Sequence, residues 1–185
     1  MRWWDDMRSS KVAQYGLFAA LAILMGYVEM LIPLPLLVPG MKLGLANVII
    51  VIALYHMDIK SAFFISLVRV LMSGLLFQGF AGLLYSLAGA LLSLGVMALL
   101  KKTGKVSITG VSVMGGVFHN VGQIIVAAAV VENIKMAYYL PFLLVTGVVT
   151  GFVIGAVARL ALGYLQRRTS VSYTHLRAHE TRRHL

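Results

Sequence analysis

The sequence contains no cysteine and only six acidic residues among its 185. The first absence removes disulfides, thiolate metal sites and thiol catalysis. The second leaves too few carboxylates for acid–base or two-metal chemistry, the more so because several sit in the polar head or in turns. No glycine-rich loop ending in Lys-Ser/Thr is present, so the chain is not expected to be its own ATPase. Charged residues make up only 12%, against 60% hydrophobic residues, and the mean hydropathy is +0.90. A soluble core for this length needs far less apolar surface, whereas a bilayer needs this much. The formal charge of +10 falls between apolar segments rather than in a patch, which is the pattern of membrane topology and not of nucleic-acid binding.

Apolar runs and their breaks predict an all-α polytopic membrane protein with six transmembrane helices. A polar head, 1–10, with Trp3 and Trp4, precedes a six-helix domain over 11–168. Asp5 and Asp6 and the length of the following run argue against a cleavable leader. The predicted helices are Lys11 to Ile32, Met41 to Tyr55, Ser61 to Phe77, Phe80 to Leu100, Gly110 to Val131 and Ala137 to Leu165. Pro33, Pro35 and Pro39-Gly40 force a non-helical connection after the first, and Gln78-Gly79 is a tight break after the third. Arg2, Arg8, Lys11, Lys60, Lys101, Lys102, Lys105, Arg167 and Arg168 then share one side, with only Lys42 and Lys135 opposite. The positive-inside rule makes both termini cytoplasmic.

The most informative stretch is Gly115-Gly116-Val117-Phe118-His119-Asn120-Val121-Gly122-Gln123, three strongly polar side chains in an otherwise apolar helix. At helical spacing, Gly115, His119, Gly122 and Gln123 share a face, with Asn120 beside it. Such groups at membrane depth mark a site unless they only join helices. With this topology, Glu29, Lys42, Asn47, Arg69, Gln78, Tyr85, His119, Asn120 and Gln123 gather in the outer half of the bundle, as a substrate pocket open to the outside. Glu29 is expected to pair with Arg69 or Lys42, and Tyr85 and Phe118 to stack on any ring. Small-residue ridges run along helix one, helix four (Gly82, Ser86, Gly89, Ser93) and helix six (Gly147, Gly151, Gly155), suited to internal packing or to docking on a partner. No metal site or cofactor is expected.

The segment 169–185 is read as a tail. From Val171 onward it breaks from the preceding pattern, carries His175, His179 and His184, and resembles translated adapter read-through, so it is set apart from fold and function.

Pro39-Gly-Met-Lys-Leu-Gly-Leu-Ala-Asn47, Leu84-Tyr-Ser-Leu-Ala-Gly89 and Phe118-His-Asn-Val-Gly-Gln123 together resemble the Gx transporter family. That family is also catalogued as heptaprenyl diphosphate synthase component I, and is similar to the substrate-binding S components of energy-coupling factor (ECF) transporters. The resemblance implies an S-component-like bundle in the bacterial cytoplasmic membrane that captures a small anionic or polar molecule. It implies work with a transmembrane coupling subunit and cytosolic ATPases, docked through Gly16, Ala19, Ala20 and Ala22 on helix one. Two alternatives stay open: a membrane subunit of heptaprenyl diphosphate or quinone synthesis, and an autonomous transporter using Glu29 and His119 to carry protons. Catalysis by this chain is not expected, since Asp5-Asp6-Met7-Arg8-Ser9 lacks the final aspartate of a magnesium-binding prenyltransferase cluster.

Overall fold

A computed structural model describes residues 2–32 and 44–181, with side chains over 11–32 and 44–167. The expected Pro33–Gly40 connection and Lys42 therefore lie outside the described residues, as do the side chains of the head and tail. Among the described residues six α-helices follow in order: α1 (Arg2–Leu31), α2 (Leu45–His56), α3 (Ile59–Ser73), α4 (Gly79–Thr103), α5 (Ile108–Val130) and α6 (Leu140–Thr181). A π-helical turn, Gly74–Gln78, joins α3 to α4, and a 3-10 turn, Ile134–Tyr139, leads into α6. There is no strand among the described residues.

The ends of these helices have local causes. Gly44 precedes α2 with φ of 77° and Gly104 closes α4 with φ of 66°, both in the left-handed region that glycine enters without strain. At the head of α3 the Asp58 carboxylate accepts the Ser61 N–H at 2.6 Å, a cap that holds its carboxyl below the usual carboxylate range. Ser107 caps α5 in the same way through the N–H of Gly110, at 3.1 Å. The head does not form a separate segment: α1 begins at Arg2. Nor does α6 stop at Arg167-Arg168; it runs to Thr181, because 166–181 holds no glycine or proline to end it.

Among the described residues four helical stretches are long and apolar enough to cross a membrane: Lys11–Leu31, Ile59–Thr103, Ile108–Val130 and Ile134–Arg167. The second has 45 residues, about 67 Å of helix and twice what a bilayer needs. It is folded on itself at Gly79, whose φ of 69° and ψ of 178° no other residue adopts easily. Ile59, Phe63 and Phe64 consequently share a groove with Leu91, Leu94 and Ala98, so α3 and α4 run antiparallel. At 12 residues, α2 spans only about 18 Å. It is the central element, with Ala46 and every residue from Ile49 to Leu54 buried. Around it, Ile65 of α3, Leu94 and Met97 of α4, Val111 of α5 and Ile154, Ala158 and Leu162 of α6 complete the core.

Glycine sets how closely the outer helices approach. Side chains at Gly151 and Gly155 of α6 would meet α5 backbone, with Val113 Cα and Thr109 Cα each 2.7 Å from the added carbon. Gly147 and Gly116 face each other in the same seam. On the other side of α5, Gly122 packs against the Ala88 carbonyl and Gly89 of α4. The ridges of α4 and α6 are thus used inside the bundle.

At the opposite end of α2 from Gly44, Lys101 Nζ donates to the Leu54 carbonyl and lies over the Tyr55 ring, 5.3 Å from its centre. This ties the end of α4 to the end of α2, where the last carbonyls lack helical partners and the dipole is negative. Lys101→Met should lower stability by about 1–2 kcal/mol, read as a fall in the thermal midpoint in detergent. Lys102→Met, at an exposed position, should leave the midpoint unchanged; equal effects would show that the tie contributes nothing.

Candidate functional site

The helices enclose a cavity of ≈ 460 Å³ in the half of the bundle nearer the α3–α4 turn. Seven of the sequence-derived candidates line it: Glu29, Asn47, Arg69, Gln78, His119, Asn120 and Gln123. All six helices contribute to this wall: α1, α2, α3 and α5 each turn a polar residue inward, α4 supplies Ser86, and the end of the π-helical turn supplies Gln78. α6 adds Thr150 and Ile154.

Small residues make the space. A side-chain carbon at Gly26 would lie 3.6 Å from Ser73 Oγ and 3.9 Å from Ala46 Cβ, so this glycine brings α1 up against α2 and α3. At Gly89 it would lie 2.8 Å from the His119 carbonyl and 2.8 Å from Gln123 Cγ. Gly89 therefore lets the polar face of α5 seat itself on α4.

Hydrogen bonds hold part of the polar set. Gly44 donates its N–H to Glu29 Oε1 at 2.6 Å, fastening the start of α2 to α1. Asn120 Nδ2 donates to the Leu143 carbonyl at 2.6 Å, close to the first turn of α6 where Thr146 also bonds that carbonyl. Ser86 donates to Gln78 Oε1 at 2.8 Å. Arg69 differs: its Nε is buried with no hydrogen-bond partner. Glu29 acts on Arg69 through its charge, but no contact ion pair joins them. The expected Glu29–Arg69 pair is therefore corrected to two separate charges in one cavity, since the Glu29 carboxylate is engaged with the backbone of Gly44.

Two candidates stand apart from this wall. Tyr85 does not line the cavity, and Lys42 lies outside the described residues. Phe118 does not line the cavity either; Phe77, tilted against Tyr27 with ring centres 5.5 Å apart, places a phenyl ring on the wall. Sequence reasoning did not name Phe77, Ser73 and Thr150 as lining residues and read Ser86 only as part of a packing ridge. Ser73 carried a signal, since it lies one helical turn from Arg69. Thr150 carried little: a threonine in an apolar helix ordinarily bonds back to its own backbone, as its Oγ1 does here to the Thr146 carbonyl at 2.8 Å.

The docking set on α1 divides. Gly16 and Ala20 are exposed, with nothing within 4 Å of an added carbon at Gly16. Ala19 packs on the core, and Ala22 is 0% exposed inside the bundle. Ala22 is thus corrected from a docking to a packing residue.

The wall offers one guanidinium, one carboxylate, an imidazole, four amides and several hydroxyls, donors and acceptors of the kind that small-molecule sites use to fix orientation. Among the described residues no group of three or more His, Asp or Glu side chains is placed to hold a metal. Long apolar helices around a polar cavity are the pattern of a helical membrane protein. The chain belongs to the family described as heptaprenyl diphosphate synthase component I, whose model matches residues 18–161. No curated protein and no solved structure matches it.

Proposed function

We propose that this chain is a substrate-capture subunit, S-component-like, that takes a small anionic or polar molecule from outside the bacterial cytoplasmic membrane. The observation that supports this most is the convergence of seven polar side chains on one cavity within an apolar bundle. In this reading the α3–α4 hairpin supplies two spans and the short, buried α2 another, giving six, with both termini cytoplasmic. Lys101 beside the end of α2, and Ser61 bonded to Tyr15 at 3.0 Å, bring the basic ends of α1, α3 and α4 together, consistent with that orientation. The chain binds and releases; chemistry and energy come from partners, a coupling subunit with ATPases.

The family's description supports a second reading, a membrane component of heptaprenyl diphosphate synthesis. Gentle affinity purification separates the two. Co-purifying membrane and ATPase subunits are expected for capture; a soluble prenyltransferase in their place would move the assignment to synthesis.

Because the chain has no cysteine, single introduced cysteines report orientation cleanly. Gln123→Cys should react with a membrane-impermeant maleimide added to intact cells, and Lys102→Cys only after permeabilisation. The reverse pattern would overturn the outward-facing cavity.

A further inference from the structure

We infer that the cavity takes a dipolar molecule, with a carboxylate-like group against Arg69 and a cationic or strongly donating group against Glu29. This rests on the capture reading above and narrows its substrate class.

Two opposite charges, Glu29 and Arg69, share the cavity without touching. A buried charge without hydrogen bonds is costly, and a direct ion pair is the ordinary remedy. Here Glu29 is held by the Gly44 N–H, and Arg69 keeps a buried Nε with no partner. A guanidinium presents five donors, and a carboxylate accepts about four hydrogen bonds, so each group retains capacity for a ligand. A molecule with its own separated charges satisfies both at once.

The same pair discriminates. A diphosphate would bring several negative charges into a chamber where Glu29 offsets Arg69, and repulsion from Glu29 would act against it. Part of the remaining polar wall, amides at Asn47 and Gln123 and the Ser73 hydroxyl, suits a neutral polar body. Val70, Phe77 and Ile154 provide an apolar side for it. The volume of ≈ 460 Å³ falls in the lower half of the range for small-molecule sites.

The test uses the full chain purified gently in mild detergent, as wild type and as Glu29→Gln. Glutamine still accepts the Gly44 N–H while removing the charge. Small molecules released on denaturation are examined for phosphorus and for electrophoretic mobility at pH 7, and geranyl diphosphate is titrated as a multianionic probe. The expected result is a phosphorus-free molecule carrying both acid and base, with retention lowered at least about tenfold in Glu29→Gln. Geranyl diphosphate should not bind the wild type saturably. A phosphorylated molecule, undiminished retention in Glu29→Gln, or saturable geranyl diphosphate binding overturns the dipolar class while leaving capture in place. Absence of any bound small molecule from the wild type overturns capture, and this inference with it. Should Glu29→Gln fail to fold, the released molecule and the wild-type titration still decide.

Discussion

Gly151→Leu should destabilise the bundle by about 3 kcal/mol or more, the upper range for overpacking. An added carbon at Gly151 lies 2.7 Å from Val113 Cα and 2.8 Å from the Ser112 carbonyl. Both are backbone atoms of a packed helix and cannot rotate away, so α5 and α6 must separate. Without a hydrophobic effect between helices in lipid, close backbone approach is a main source of association, and the seam has little to replace it. The control is Gly16→Leu, where nothing lies within 4 Å; its effect should stay within about 0.5 kcal/mol. Thermal midpoints of the two variants in one detergent check this. A Gly151→Leu protein as stable as wild type would mean that the seam is looser than described.

Arg69→Ala should do two things in opposite directions. Binding of the co-purifying small molecule should fall by about thirtyfold or more, because truncating one partner of a buried, hydrogen-bonded charge pair costs about 2–5 kcal/mol. Stability without ligand should stay level or rise by up to about 1 kcal/mol, because the variant removes a cation whose Nε is buried without a hydrogen bond. Retention by native mass spectrometry and the unfolding midpoint of ligand-stripped protein are the two readouts. A large fall in both would assign Arg69 to the structural framework. By contrast, Asn120→Ala should disturb both, since its amide also holds the Leu143 carbonyl at 2.6 Å.

Much of this site was legible because polar groups in apolar helices have few places to go. His119, Asn120 and Gln123 break an otherwise apolar run, and physical cost alone marks them. The Gln78-Gly79 break was legible for a related reason: glycine tolerates the backbone conformation with which the α3–α4 hairpin turns. Direction around a helix was harder to read. Tyr85 and Phe118 are each one position from a wall residue, Ser86 and His119, and one position is about 100° of rotation. The same difficulty placed Ala22 in a docking set, since small residues serve lipid-facing and interior contacts alike and only the fold shows α1 burying that side. The Glu29 contact to Gly44 joins two backbone segments 15 residues apart, and no periodicity in the sequence encodes it.

The central claim is that the cavity exists to hold a small molecule. Native mass spectrometry of the full chain, extracted gently from its own membrane, tests this most directly. One small molecule per chain is expected, retained by the wild type and missing from Arg69→Ala, with coupling and ATPase subunits in the larger assemblies. A wild-type chain that is always empty and accompanied only by a soluble prenyltransferase would contradict it.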